Sequence, residues 1–147
     1  MTTKERISND LKDAMRARDK QTLDTLRLVT AAIKQVEVDE RIEVDDDRML
    51  VILDKMAKQR KESIAQFQTA GRADLVAQEE FELTIISRYL PEPLSDAEIE
   101  RLVEEAISTH AASKMSDMGK VMASLKPLMS GRADLNKVSS LVKSKLS

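Results

Sequence analysis

The chain is 147 residues long, 41% hydrophobic and 34% charged, with only 2% aromatic side chains, 3 Gly and 3 Pro. That balance excludes a disordered chain, which is starved of apolar side chains, and most all-β folds, which need aromatics for cross-strand packing and glycines for tight turns. With no Cys, no Trp and His110 as the single histidine, a zinc site, a disulfide framework and a thiol nucleophile lack their parts, and a net charge of −2 by itself names no anionic partner.

Apolar residues recur at helical spacing along almost the whole chain, so the reading is all-α. Ile7, Leu11, Ala14 and Met15 mark a first short helix that ends near the charged stretch 16–20. Leu23, Leu26, Val29, Ile33 and Val36 carry a second, longer one. Asp45, Asp46 and Asp47 stand where an N-cap and first turn belong, ahead of Met49, Ile52, Leu53, Met56, Ile64 and Phe67, and Gly71 is placed to close this third helix in a left-handed conformation. Val76, Leu83, Ile86 and Leu90 carry a fourth helix up to Pro91.

Pro91-Glu92-Pro93 is the strongest boundary, because each proline lacks an N–H and restricts the residue before it. Beyond it Ser95 and Glu98 form a capping box for Ile99, Leu102, Val103, Ala106 and Ile107. Met118, Val121, Met122 and Leu125 make a sixth helix that stops at Pro127, Gly131 breaks the chain again, and Val138, Leu141, Val142 and Leu146 make the last. The expectation is two domains, a four-helix one over residues 1–90 and a three-helix one over 94–147.

Each chemically suggestive feature has a plain structural counterpart. Gly-Arg-Ala-Asp-Leu occurs at 71–75 and at 131–135, in both places between helices, with Gly as a stop and Asp as a cap for the next helix. The methionines at 49, 56, 115, 118, 122 and 129 lie mostly in phase with Leu, Ile and Val, as core residues do, although an adaptable binding surface has the same composition. Arg60 falls on the apolar stripe of the third helix. If helices three and four form a hairpin about Gly71, it faces 79–82, where Glu79, Glu80 and Glu82 are available for a partly buried ion pair. The three aspartates at 45–47 cannot all converge on one cation, so capping outweighs metal binding. His110 closes the fifth helix, where a cation complements the dipole. Ser116 to Lys120 opens the sixth helix. Gly119 and Lys120 offer a place for phosphate, but the Asp117 carboxylate competes for the same amides, which favours a cap and close packing.

Charge is segregated along the second half. Residues 91–111 carry a net −5 and residues 112–147 a net +5. Lys114, Lys120, Lys126, Arg132, Lys137 and Lys143 suit sequence-independent phosphate contacts, and the lack of aromatics among them argues against single-strand stacking.

Tyr89-Leu90-Pro91, Asp117-Met118-Gly119-Lys120-Val121-Met122 and Gly131-Arg132-Ala133-Asp134 give the chain its resemblance to the YqeY family. These are small bacterial proteins with mitochondrial relatives, similar to the tail of the B subunit of glutamyl/aspartyl-tRNA amidotransferase. The resemblance spans essentially the whole chain and implies an all-helical, two-domain fold with a three-helix carboxyl-terminal domain. In the amidotransferase that tail recognises tRNA while other parts do the chemistry, and the label of carbon–nitrogen ligase with glutamine as amide donor belongs to the full complex. Lys120, Arg132 and Asp134 carry over from the tail, with Asp117, Gly119 and Gly131 as motif positions. One departure is that His110-Ala111-Ala112 stands where the family pattern has a Gly-Ala turn.

The expected function is thus a non-catalytic tRNA-binding module without metal or cofactor. The alternatives are an adaptor for amidotransferase or aminoacyl-tRNA synthetase components, or an accessory of glutamine-dependent amidotransferase activity. A monomer is expected. Residues 1–20 are charged throughout, lack the apolar core of a signal peptide and include Glu5, Asp10 and Asp13, which argues against a mitochondrial transit peptide, and no apolar run is long enough to span a bilayer. Those features lead to the expectation of a cytoplasmic location.

Overall fold

A computed structural model describes every residue except Ser130 and Gly131, and the described residues form seven α-helices and no strand. They are α1 Thr3–Ala17, α2 Lys20–Glu40, α3 Asp46–Thr69, α4 Ala73–Ser87, α5 Asp96–Thr109, α6 Met118–Met129 and α7 Leu135–Leu146. Contacts gather them into two compact units, Met1–Leu90 with α1 to α4 and Pro91–Ser147 with α5 to α7.

In the first unit the helix starts are set by side-chain caps. Thr2 and Glu5 make a reciprocal capping box on α1, the Asp19 carboxylate accepts from the Thr22 amide, and the Asp45 carboxylate accepts from the Arg48 amide at 2.8 Å. Asp46 accepts from the Thr3 amide at 3.0 Å, so an acidic residue in the first turn of α3 also caps α1. Gly71 has φ 70°, the left-handed closure read from the sequence. α3 and α4 pack along their length as an antiparallel pair, with α1 and α2 against them. Ile7, Leu26, Val29, Met49, Leu53, Ile85 and Ile86 form the sealed core.

Two polar groups sit at the edge of that core. Arg60 donates from Nε to Glu82 at 3.3 Å and lies 4.0 Å from Glu79, which is the expected hairpin register. The Tyr89 hydroxyl donates to Asp10, and the Arg6 guanidinium lies over its ring, 5.4 Å from the centroid. α4 ends at Ser87, earlier than its apolar periodicity suggests. The amides of Arg88, Tyr89 and Leu90 turn back to carbonyls three residues earlier, which tightens the chain before Pro91 forces an extended residue.

In the second unit α5, α6 and α7 pack mutually around Val103, Val121, Leu125, Met129, Val138 and Val142. Ser95 caps α5 by accepting from the Glu98 amide, but the return contact is a hydroxyl donated to the Glu98 carboxylate, so the box is only half reciprocal. Pro127 does not stop α6. The helix runs through it to Met129, because proline in a last turn forfeits one bond to the Ala123 carbonyl while the extra turn seats Met129 fully in the core.

The two Gly-Arg-Ala-Asp-Leu copies differ. In the first, Asp74 lies inside α4 and pairs with Arg72; in the second, Asp134 is the N-cap of α7 and accepts from the Asn136 amide at 2.9 Å. The Gly131 break lies outside the described residues. Of the methionines, Met49, Met56 and Met129 are buried, Met118 and Met122 half-buried and Met115 exposed. The turn after α5 keeps a glycine-like shape without glycine. Ala111 takes φ 49°, and the Ala112 amide reaches back to the Ile107 carbonyl at 2.9 Å.

Candidate nucleic-acid interface

The helical period fixes where the second unit's cations stand. Lys120 precedes the core residue Val121 and Lys126 follows Leu125; Lys137 precedes Val138 and Lys143 follows Val142. Each therefore projects about 100° from the buried direction, and the two on one helix leave by opposite flanks. All four are exposed, as is Lys114 in the turn before α6. Among the described residues none of these five has a carboxylate within 4.0 Å. They make a spread of separate positive charges rather than one focus, a layout that suits a chain of phosphates better than a single small anion.

Arg132 has a different setting. Its Nε donates to the Glu92 carbonyl at 3.1 Å and its own carbonyl accepts from the Leu94 amide at 2.9 Å, so it ties the loop before α7 to the start of the unit. Lys145, absent from the expected set, spans to Glu100 and Glu104 of α5 at 3.4 and 3.2 Å. The hydrogen bond to Glu104 holds its ammonium above the usual lysine range. The i, i+4 spacing of those glutamates on an acidic helix was the available signal for this staple.

Asp117 does not cap the first amides of α6. Its carboxylate accepts instead from the Ser113 and Lys114 amides at 3.1 and 3.3 Å, and those bonds hold its carboxyl below the usual range. A 3-10 turn, Met115–Asp117, leads directly into α6. Close packing does not explain Gly119 either, since a Cβ there meets nothing within 4 Å. His110 is the exposed C-cap of α5. Among the described residues no group of acidic or histidine side chains is arranged to hold a metal, and no helix is long and apolar enough to cross a membrane.

The geometry defines an all-helical protein with an acidic helix and two lysine-flanked helices in one small unit. The chain belongs to the family of YqeY-like proteins, whose model matches residues 4–146. It is 32% identical over 126 residues to "Altered inheritance of mitochondria protein 41, mitochondrial" of Pyrenophora tritici-repentis, a match covering 82% of this chain and 70% of the relative. The protein of the same name from Eremothecium gossypii is 36% identical over 113 residues, covering 72% of this chain and 62% of that protein. That from Saccharomyces cerevisiae strain YJM789 is 32% identical over 126 residues, 81% of this chain and 68% of the relative.

These relatives overturn the expectation of a cytoplasmic location, because they are named as mitochondrial proteins. The inference failed for a structural reason. Residues 1–20 build α1 and start α2, so their charges reflect helix capping and exposed faces and carry no information about destination.

Proposed function

We propose that this protein is a non-catalytic RNA-binding module whose carboxyl-terminal domain, residues 94–147, engages tRNA through phosphate contacts, beside a separate four-helix domain over residues 1–90. The observation that supports this is the set of five exposed lysines on and before α6 and α7 that have no ion-pair partner among the described residues, while the unit's carboxylates concentrate on α5 and draw Lys145 to themselves. Likeness to the amidotransferase tail supplies the choice of tRNA among polyanions. Lys120, Lys126, Lys137 and Lys143 make the contacts with Lys114, and Arg132 holds the loop between them.

The test is binding of total tRNA to the full chain across a salt series, for wild type and for Lys120→Glu/Lys137→Glu. Each lost phosphate contact lowers the slope of log K against log salt by about 0.7 to 0.9. An unchanged slope in a folded variant, or no wild-type binding at low salt, rejects the reading. Adaptor function is a second reading, favoured by the apolar side chains exposed on α2, Leu28 and Val38.

A further inference from the structure

Helix α2 is amphipathic, and among the described residues nothing covers its outer face. Its inner side, Leu26, Val29 and Ile33, is sealed in the core. The outer side carries Leu28, Ala31, Gln35 and Val38, spaced alternately by three and four, with Leu28 45% and Val38 64% exposed. Alternate three and four spacing is the seam of a coiled coil, and the residue just before each first seam position is the flank that sets partner choice by charge. Here that flank is Lys20, Arg27 and Lys34, at intervals of seven, with Arg41 next in the series as the helix C-cap. From Lys20 to Lys34 the row is about 21 Å long.

Among the described residues none of the three helical cations has an ion-pair partner. Lys34 does influence Glu37 one turn on, but the bonded partner of Glu37 is Lys4 at 2.7 Å. At the helix start a cleft of about 470 Å³ lies between α2 and α4, with Lys20, Gln21 and Asp24 on one wall and Asp74, Phe81 and Glu82 on the other, so the acidic edge of a partner meets the row at Arg27 and Lys34 rather than in the cleft.

We propose that this face is the docking seat for an amphipathic helix of a different protein, with apolar residues along its seam and carboxylates along the edge that meets Lys20, Arg27 and Lys34. Charge decides against a second copy of this chain. Antiparallel pairing sets the cationic flank against itself, and parallel pairing sets Lys20 and Arg27 against Thr25 and Ala32, which are buried or half-buried in this unit's own core, so that only Lys34 meets a carboxylate, Asp39. An RNA would use the cations but leave the apolar seam idle, and a bilayer would meet too narrow an apolar strip, interrupted by Gln35. The site is separate from the lysines of α6 and α7, so either reading fails without the other.

The probe is a synthetic three-heptad helix with Leu at the seam and Glu on both flanks, whose own charge discourages self-pairing. It is titrated into the full chain beside two controls, one with Lys flanks and one with Ser at the seam. The Glu-flanked helix binds at least about tenfold tighter than either control. Arg27→Glu/Lys34→Glu and, separately, Leu28→Ser/Val38→Ser weaken it by about tenfold or more, with unchanged helical content and unchanged tRNA binding. Equal binding of the Lys-flanked helix overturns the proposal, as does indifference to both variant pairs. So does a result in which the Arg27→Glu/Lys34→Glu pair changes binding of tRNA or of phosphatidylglycerol vesicles and not of the peptide.

Discussion

Replacing Arg60 by Met keeps the length of the side chain but removes the cation that, among the described residues, pairs with Glu79 and Glu82. The Arg60 and Glu82 side chains are only 16% and 12% exposed, so the carboxylates left behind are poorly solvated and repel each other. Breaking a fully buried pair costs about 3 to 5 kcal/mol; with this residual solvent access the expected loss is about 2 kcal/mol. The sign of the pH dependence follows from Glu79. Burial, and next the Glu82 charge, already push its carboxyl above the usual range, and Arg60 is the influence opposing them. Without Arg60 the folded-state value rises further above the unfolded one, so the folded variant holds its proton more tightly. The Glu79 contribution is therefore fully present at low pH and lost as pH rises through the folded-state value, so the deficit against wild type shrinks on acidification from neutral pH. The only tyrosine, Tyr89, is buried in the same unit and there is no tryptophan, so tyrosine fluorescence in a urea titration reports this unit. Adding Glu82→Gln to Arg60→Met removes part of the uncompensated charge and recovers about 1 kcal/mol. A loss below about 0.5 kcal/mol, or a deficit that grows on acidification, refutes the reasoning.

Tyr89→Phe removes the hydroxyl bonded to Asp10 and costs about 1 kcal/mol in the same urea titration. In wild type, burial and the Asp10 contact hold the phenol above its ordinary range, so alkaline absorbance titration finds it ionising late and together with unfolding, as stability falls above the unfolded tyrosine value. Ala111→Gly relieves a left-handed residue and raises the stability of the second unit by about 1 kcal/mol, read by thermal melting. Gly119→Ala fills open space in a helix, so it leaves stability unchanged or raises it by up to about 1 kcal/mol, whereas Gly71→Ala, at φ 70°, lowers it by a similar amount.

Elements whose causes are local were legible in the sequence. Asp45, Ser95 and Asp134 announce helix starts because capping involves only the next few residues, and Gly71 announces a stop for the same reason. The Arg60 pair was readable because a hairpin fixes register by counting from its turn. Pro127 misled because its local penalty is outweighed by burial of Met129, which depends on α5 and α7. Arg132 reads as one more cation in the tail, and only tertiary placement reveals its bond to the Glu92 carbonyl. The seven-residue spacing of Lys20, Arg27 and Lys34 is present in the sequence but masked there, because the inner apolar stripe already accounts for α2 as a core helix.

The near-zero total charge conceals a more specific arrangement. The second unit carries as many carboxylates as cations, so attraction of a polyanion cannot rest on its net charge and must come from the separation of the two signs. Lys145 marks that separation. By reaching α5 it partly neutralises the acidic helix while giving up its own charge to the fold, and the lysines of α6 and α7 keep theirs. An interface of this kind is short-ranged, because beyond a Debye length of about 8 Å at physiological salt the opposite charges cancel. It follows that long-range steering is weak while close phosphate contacts remain strongly salt-dependent. Lys120→Glu/Lys137→Glu shifts the charge of this unit by −4, so it lowers the equilibrium salt slope and also slows association, most strongly at low salt.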